Sequence, residues 1–218
     1  MTTVVEGIGV HVRAVTPTAA RAQADFRALL NVLSRPGELD TVGRGDGSGN
    51  GRARGDGPAV LAVAAGLADV EVPTAVLTAP GDEHWERALH LGTSAPPAPP
   101  HEARMVVALR PPAAAEIAAL TKGDALHPEH GTRLLIAVEG LSRADGNVPG
   151  EVVLTLSGPG VPGTRRLRVG GLPREVFEAL VEANDGFPAG IDTFLVTADG
   201  TVAGLPRSTR IEIENGEH

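Results

Sequence analysis

Polar side chains that could bind an anion stand at the ends of predicted helices and strands of this 218-residue chain. Arginine is prominent among them, and its guanidinium group binds phosphate-like oxygens through two parallel hydrogen bonds. The candidates for a ligand site or an interface are Arg27 on the first predicted helix, Ser34 and Arg35 where that helix ends, Asp192 at the start of a strand, and Arg207, Ser208 and Thr209 after a proline. Together they predict a site for an anionic ligand, with Asp192 as an acid or base.

Each of these candidates also has a structural interpretation. The arginines can be exposed charges or can pair with Asp25, Glu38 or Glu212. Asp192 can hold the end of its strand beside Arg207. Taken singly, every candidate favours the structural interpretation, and convergence of the side chains in one pocket is the feature that would favour a catalytic site.

A second group of chemically competent residues is the run His127-Pro128-Glu129-His130-Gly131. Two imidazoles and a carboxylate suit a borderline-soft metal ion. The proline argues against an α-helix that would bring these side chains to one face. We therefore expect a polar loop before a strand, and no metal site.

Other catalytic motifs are incomplete. A phosphate-binding P-loop needs Gly-Lys followed by Ser or Thr, but the only lysine, Lys122, is followed by Gly123. Ser157 lacks the preceding glycine of a hydrolase nucleophile elbow. The chain has no cysteine, which removes disulfides, thiolate nucleophiles and Cys-ligated metal clusters and fits a reducing compartment.

Composition limits the class of protein further. The formal net charge of −8 disfavours binding to a nucleic-acid backbone, and 42% apolar residues are enough for one sizeable core. We expect a single domain over residues 1–218, with the Gly-rich segment 43–57 as a flexible surface insertion rather than a nucleotide cradle. The sequence shows no signal peptide and no membrane-spanning run, which predicts a cytoplasmic protein.

Helical and strand patterns alternate along the chain. A helix with one apolar face is predicted between Thr16 and Arg35, from the spacing of Ala22, Phe26, Leu29, Leu30 and Leu33. Further helices are predicted over 59–67, 83–91, 113–120 and 174–184, and strands over 74–79, 105–109, 134–138, 152–156, 165–169, 191–197, 202–205 and 210–213. Asp199-Gly200 predicts a hairpin. This order predicts an α/β fold, a mixed sheet with helices on both faces.

The order of the motifs resembles one bacterial family, PhnH, the H subunit of the phosphonate carbon–phosphorus lyase core complex. The first motif that carries it is Asp25-Phe26-Arg27 with Leu29-Leu30, and the resemblance runs from about residue 16 to about residue 213, nearly the whole chain. The other motifs that carry it are Ser34-Arg35-Pro36-Gly37, Leu120-Thr121-Lys122-Gly123, Pro128 to Thr132, Leu156 to Val161, Phe187 to Asp192 and Leu205 to Thr209. The segment 43–57 looks like an insertion relative to the family.

The resemblance implies a part in the use of alkylphosphonates as a phosphorus source. In that system the G, H, I and J subunits form the core complex. Together with an L subunit, G, H and I are implicated in replacing the adenine of ATP by methylphosphonate, which gives ribose 1-methylphosphonate 5-triphosphate. The J subunit, with an iron–sulfur cluster, later breaks the carbon–phosphorus bond. The implied partners of this chain are therefore a second copy of itself, as a homodimer, and the G, I and J subunits.

The resemblance also implies the fold of pyridoxal-phosphate-dependent transferases without their cofactor. Such an enzyme needs a Schiff-base lysine, and Lys122 stands where the family does not typically carry one. We expect an assembly subunit with no cofactor, whose interfaces use aliphatic faces such as that of Leu29 and Leu33. The alternatives are a stand-alone enzyme that binds a phosphonate or nucleotide through Arg27, Arg35 and Arg207, and, more weakly, a pyridoxal-phosphate enzyme.

Overall fold

The computed structural model describes residues 2–43, 57–143 and 149–214. The helices in these ranges are α1 Thr2–Val15, α2 Ala19–Ser34, α3 Ala59–Ala65, α4 Glu83–Thr93, α5 Ala114–Ala118 and α6 Arg174–Ala183. The strands are β1 Asp40–Thr41, β2 Thr74–Leu77, β3 Met105–Ala108, β4 Arg133–Val138, β5 Gly140–Ser142, β6 Glu151–Ser157, β7 Arg165–Gly170, β8 Asp192–Thr197, β9 Thr201–Leu205 and β10 Arg210–Ile213. The predicted Gly-rich insertion over 43–57 lies outside the described residues except at its two ends.

The strands form two sheets. The main sheet has six strands in the order β1-β9-β8-β4-β3-β2, in which β2, β3, β4 and β8 are parallel and β9 and β1 are antiparallel. The predicted mixed α/β sheet is therefore confirmed, and the hairpin at Asp199-Gly200 joins β8 to β9. A four-stranded antiparallel sheet, β10-β6-β7-β5, was not predicted as a separate layer. Helix α1 and the short strands β1 and β5 were not predicted either.

The main sheet is covered on both faces, as alternate residues of β4 show. Leu134 and Ile136 pack in one apolar cluster, with α5, α6 and the antiparallel sheet. Leu135 packs in the other, with α1 to α4. Because both faces are buried, the parallel strands carry continuous apolar runs instead of alternating patterns, which is why the sequence identifies them clearly.

Helix α2 does not present the single apolar face that its sequence predicts. Thr18 caps its start by accepting a hydrogen bond from the backbone N–H of Arg21. Leu29 is buried, and Leu33 packs against the same cluster, whereas Phe26 and Leu30 are 48% and 50% exposed. Successive helical residues are rotated by about 100°, so Leu29 and Leu30 cannot both face the core. The prediction that Leu29 and Leu33 form an interface is wrong, and Phe26 and Leu30 form the outward apolar stripe.

A glycine sets how closely α2 approaches the main sheet. Gly204 lies on β9, and a Cβ atom placed there would lie 2.8 Å from the carbonyl carbon and oxygen of Val32 and 2.9 Å from the backbone nitrogen of Leu33. These atoms belong to the helix backbone, so no side-chain rotation can relieve the overlap. The helix and strand therefore pack backbone against backbone at this point.

We predict that Gly204→Ala lowers the free energy of unfolding by about 1–3 kcal/mol, because the added methyl group overpacks this contact. Chemical denaturation of the purified chain measures the change. Gly186→Ala is the matched control, since nothing lies within 4 Å of a Cβ atom there. Equal stability of the two variants would contradict the packing described for α2 and β9.

Candidate functional site

The sequence-predicted residues lie in three separate places. Asp192 and Arg207 meet at the amino-terminal ends of β4 and β8. Ser34 and Arg35 border a pocket at the end of α2. Arg27 lies on the exposed side of α2, where its guanidinium contacts Gln23 at 3.5 Å. The described structure therefore does not bring Arg27, Arg35 and Arg207 into one pocket, and the convergence that would favour a catalytic site is absent for these arginines.

The first place is the Arg207 cluster, which consists of Arg207, Asp192, Pro128, Pro188 and Gly190. Arg207 Nη2 donates to Asp192 Oδ2 at 2.7 Å and Nε donates to Oδ1 at 3.2 Å. The backbone N–H of Arg207 also donates to Oδ1, at 2.9 Å. On its other side, Nη1 donates to the carbonyl oxygens of Pro128 and Pro188. One guanidinium thus connects the starts of β4 and β8 with the end of β9.

Close backbone contacts complete the Arg207 cluster. A Cβ atom at Gly131 would overlap the carbonyl oxygen of Gly190 and would lie 2.9 Å from Arg207 Nη1. The N–H of Gly190 donates to the carbonyl oxygen of Lys122 at 2.7 Å. Asn184 supports the same turn, since its Oδ1 accepts from the N–H of Ile191 at 2.7 Å. The Lys122 contact uses the backbone and not the amine, so the motif residues here fix loop geometry.

The second place is the Ser34 pocket, an open surface pocket of about 480 Å³ lined by Ser34, Arg35, Glu38, Gly160, Val161, Pro162 and Arg165. Arg165 forms one wall: Nη2 donates to Glu38 Oε1 at 2.9 Å, and Nη1 donates to the carbonyl oxygens of Pro36 and Gly160 at 3.0 and 3.3 Å. Arg35 is exposed, and within the described ranges no carboxylate forms an ion pair with it. The pocket therefore offers a cationic group whose charge is not already neutralised by a partner.

The sequence analysis named Glu38 as a possible partner of the candidate arginines but did not identify Arg165, to which Glu38 is bound. The two residues are 127 positions apart, and no local pattern predicts a contact at that separation. The available signal was that Ser34 to Gly37 and Leu156 to Val161 are both motifs of the recognised family. In the structure these motifs meet, because the backbone at Gly160 packs directly on the carbonyl oxygen of Ser34.

Thr209 connects the two places but does not face solvent. Its side chain is buried, and its Oγ1 has no hydrogen-bond partner among the described residues. Its N–H donates to the carbonyl oxygen of Pro206 at 2.9 Å, and its Cα lies 3.8 Å from the position of a Cβ atom on Gly158. The segment 205–209 therefore runs from the Arg207 cluster to the turn that leads into the Ser34 pocket.

Asp25, the first residue of the Asp25-Phe26-Arg27 motif, is inside the protein. Its Oδ1 accepts from the N–H of Gly43 at 2.8 Å, and its Oδ2 lies 3.7 Å from Nε of Arg21. Burial raises the pKa of Asp25 above its ordinary value, although the Gly43 N–H and Arg21 act against this. The carboxylate anchors the chain that leaves β1, so Asp25 is not part of the surface around Arg27.

The carboxyl-terminal edge of the parallel strands carries a different pair. In open α/β sheets ligands commonly bind at this edge, and here Arg110 reaches it by donating from Nε to the carbonyl oxygen of Thr78 at 3.2 Å. The two other guanidinium nitrogens bind both oxygens of Glu116, at 2.6 and 2.8 Å. The Arg110 hydrogen bonds hold the pKa of Glu116 below its ordinary value. The charge of Arg110 is therefore already neutralised.

The run from His127 to Gly131 forms an exposed 3₁₀ turn, Pro128–His130. The ligand atoms of His127, Glu129 and His130 all lie within 4.8 Å of one another. Asp124 supports the turn by accepting hydrogen bonds from the N–H groups of Leu126 and His127, both at 2.8 Å. These two hydrogen bonds hold the pKa of Asp124 below its ordinary value, and the bond from the His127 N–H has the larger effect. The turn is thus the place in the described structure where side chains could hold a metal ion.

Comparison with known families gives one match over most of the chain. The model of the family described as bacterial phosphonate metabolism protein (PhnH) matches residues 14–212. No curated protein matches. None of the described helices combines the length and the apolar character that a membrane-spanning segment requires.

We predict that Arg207→Ala lowers the free energy of unfolding by about 2–4 kcal/mol, because it leaves a half-buried carboxylate and two carbonyl groups without their donor. Denaturant titration measures the loss. Arg27→Ala removes the same charge from an exposed position and should change stability by about 0.5 kcal/mol or less. Should Arg207→Ala be as stable as Arg27→Ala, the Arg207 cluster would not be a structural centre.

Proposed function

The chain belongs to the PhnH family of bacterial phosphonate metabolism proteins, and from this premise we propose that it is a subunit of the carbon–phosphorus lyase core complex. In this proposal the chain is one domain that forms a homodimer in the cytoplasm and binds the G, I and J subunits. It supports the formation of ribose 1-methylphosphonate 5-triphosphate from ATP and methylphosphonate. It has the fold of the pyridoxal-phosphate-dependent transferases and works without their cofactor.

The family match over residues 14–212 carries this proposal. The proposal is also supported by the hydrogen bonds that two of the predicted site residues, Asp192 and Arg207, already form within the fold. Arg207 uses Nε, Nη1 and Nη2 to bind Asp192 and backbone carbonyl groups. A ligand could recruit this guanidinium only by breaking contacts that hold β4, β8 and β9 together. An assembly role does not require such a rearrangement, whereas catalysis at Asp192 and Arg207 does.

The outward stripe of α2, which consists of Phe26, Arg27 and Leu30, is the proposed interface. Phe26 and Leu30 are one helical turn apart and are about half exposed. The chain has one Trp and no Tyr, so the aromatic anchors that enrich protein interfaces are scarce. Phe26 and Phe187 are the exposed phenylalanines of the described surface, and Phe26 stands on a regular helix beside an exposed leucine and an arginine.

Co-expression of the tagged chain with the G, I and J subunits, followed by native mass spectrometry, tests the assembly proposal. We expect a stoichiometric complex that contains two copies of this chain. Phe26→Ser combined with Leu30→Ser should remove either the second copy or the partner subunits, since both changes lie on the exposed stripe and leave the core side of α2 intact.

Val181→Ser is the matched control, because Val181 is an exposed apolar residue on α6, at 40% exposure. The Val181→Ser variant should still form the complex. Circular dichroism should show that this variant and the double variant are both folded. A monomer that ignores the other subunits would reject the subunit proposal. A complex unaffected by the double change at Phe26 and Leu30 would reject the α2 stripe as its interface.

The Ser34 pocket favours a second candidate function, a stand-alone enzyme or binding protein for a phosphonate or nucleotide. The supporting observation is Arg35, an exposed residue that lines, together with Ser34, an open surface pocket of about 480 Å³. Arg165 keeps Glu38 paired, so this carboxylate does not cancel the charge of Arg35. A guanidinium in this position can bind an anionic oxygen without disturbing the fold.

If the chain has this second function, Arg35→Ala should weaken the binding of methylphosphonate or ATP by about 10- to 100-fold, because it removes one charge-assisted hydrogen-bonding group. Isothermal titration of the isolated chain measures it. Arg27→Ala, which removes a guanidinium from α2 outside the pocket, should bind like the unmodified chain. If the unmodified chain binds neither compound, or Arg35→Ala binds equally well, the pocket is not the ligand site.

A further inference from the structure

The 3₁₀ turn at Pro128–His130 gathers side chains that none of the preceding arguments uses. His127 Nδ1 lies 3.4 Å from Glu129 Oε1, and His130 Nε2 lies 3.8 Å from the same oxygen. The two imidazole rings are stacked, with their centroids 5.0 Å apart and their planes inclined by 18°. Pro128 occupies the first position of this turn, where its missing N–H leaves no helical hydrogen bond unmade, and the tight turn brings the three side chains close together.

The separation of these atoms is that of a metal-ligand set. A tetrahedral zinc ion with bonds of about 2.0–2.2 Å places its ligand atoms about 3.4 Å apart. The His127–Glu129 distance already has this value, and the His130–Glu129 distance exceeds it by a few tenths of an ångström. The ligand atoms of all three residues lie within 4.8 Å of one another, so side-chain rotation alone can close the set.

The backbone beneath the turn is fixed, which keeps the three side chains together without a metal ion. Arg207 Nη1 binds the carbonyl oxygen of Pro128, and the Asp124 carboxylate binds the N–H of His127 at 2.8 Å. The N–H of Gly131 donates to the carbonyl oxygen of Pro128 at 3.1 Å. A ligand set on such a backbone loses little backbone conformational entropy when it binds an ion.

We propose that His127, Glu129 and His130 form a binding site for a divalent transition-metal ion, with Zn²⁺ as the ion of best fit. Two imidazoles and one carboxylate are the ligands of several zinc sites that keep a coordination position open. The side chains of His127, Glu129 and His130 are 57%, 63% and 46% exposed, so solvent or an anionic group of an incoming molecule has access to that position. This site is independent of the assembly role proposed above.

Isothermal titration of the metal-stripped, tag-free chain with Zn²⁺ tests the proposal, and titration with Co²⁺ monitored by visible absorption reports the coordination geometry. We expect one ion per chain. Each of His127→Ala, Glu129→Gln and His130→Ala should weaken Zn²⁺ binding about tenfold or more. The loss of a residue that only supports a metal ligand already lowers metal affinity by about 10- to 100-fold, and these three variants each remove a direct ligand. All three side chains are exposed, so the variants should keep the fold, which circular dichroism checks.

His101 and Glu102 provide the matched control, because they form an exposed His–carboxylate pair at the same distance of 3.4 Å but without a second imidazole. His101→Ala and Glu102→Gln should bind Zn²⁺ like the unmodified chain. The proposal is overturned if these control variants lose as much affinity as the three ligand variants. It is equally overturned if the ligand variants bind Zn²⁺ as tightly as the unmodified chain, in which case the turn holds only a histidine–glutamate ion pair.

Discussion

The contact between Arg207 and Asp192 determines how the loops at the amino-terminal edge of the main sheet are arranged. Asp192 is the first residue of β8, and Arg207 follows the end of the adjacent antiparallel strand β9. The bidentate pair fixes one strand end against the other, and the remaining guanidinium nitrogen reaches the loops that precede β4 and β8. The side chains of Arg207 and Asp192 are only 13% and 24% exposed, so each charge carries a desolvation cost, which the attraction between the two groups and their hydrogen bonds offset.

The same segment links the main sheet to the antiparallel sheet. After Arg207 the chain passes Thr209 and enters β10, which pairs with β6, so the position of the Arg207 cluster also sets the start of the second layer. Arg165, on β7 of that layer, reaches back to Glu38 and the carbonyl oxygen of Pro36 beyond the end of α2. Two arginines thus connect the helical face, the main sheet and the smaller sheet through backbone carbonyl groups and carboxylates.

The sequence predicts the parts of this fold that depend on local patterns. Strands β2, β3 and β4 are continuous apolar runs between turn residues, and α6 is a regular amphipathic helix, so their positions follow from spacing alone. The outward position of Leu30 on α2 does not follow, because the residue types allow more than one apolar face and only packing against β9 selects one. The assignment of β10 to a second sheet and the pairing of Arg165 with Glu38 depend on contacts between distant segments. Arg165 and Glu38 are 127 positions apart, and no local pattern predicts a contact at such a separation.

Some arginines of this chain are bound within the fold and others are exposed. This difference explains why the Arg207 cluster is a poor ligand site, whereas exposed side chains near the bound arginines are better candidates. A guanidinium that already binds a carboxylate and two carbonyl groups gains little from a new anion, because each new hydrogen bond replaces an existing one. What it does provide is a backbone held in one conformation. Arg165 fixes the carbonyl groups of Pro36 and Gly160 next to exposed Arg35, and Arg207 fixes the carbonyl group of Pro128 beneath the exposed imidazoles of His127 and His130. In both cases a partly buried arginine organises the chain, and the exposed side chains carried on that chain keep their hydrogen-bonding and metal-binding capacity for an external partner.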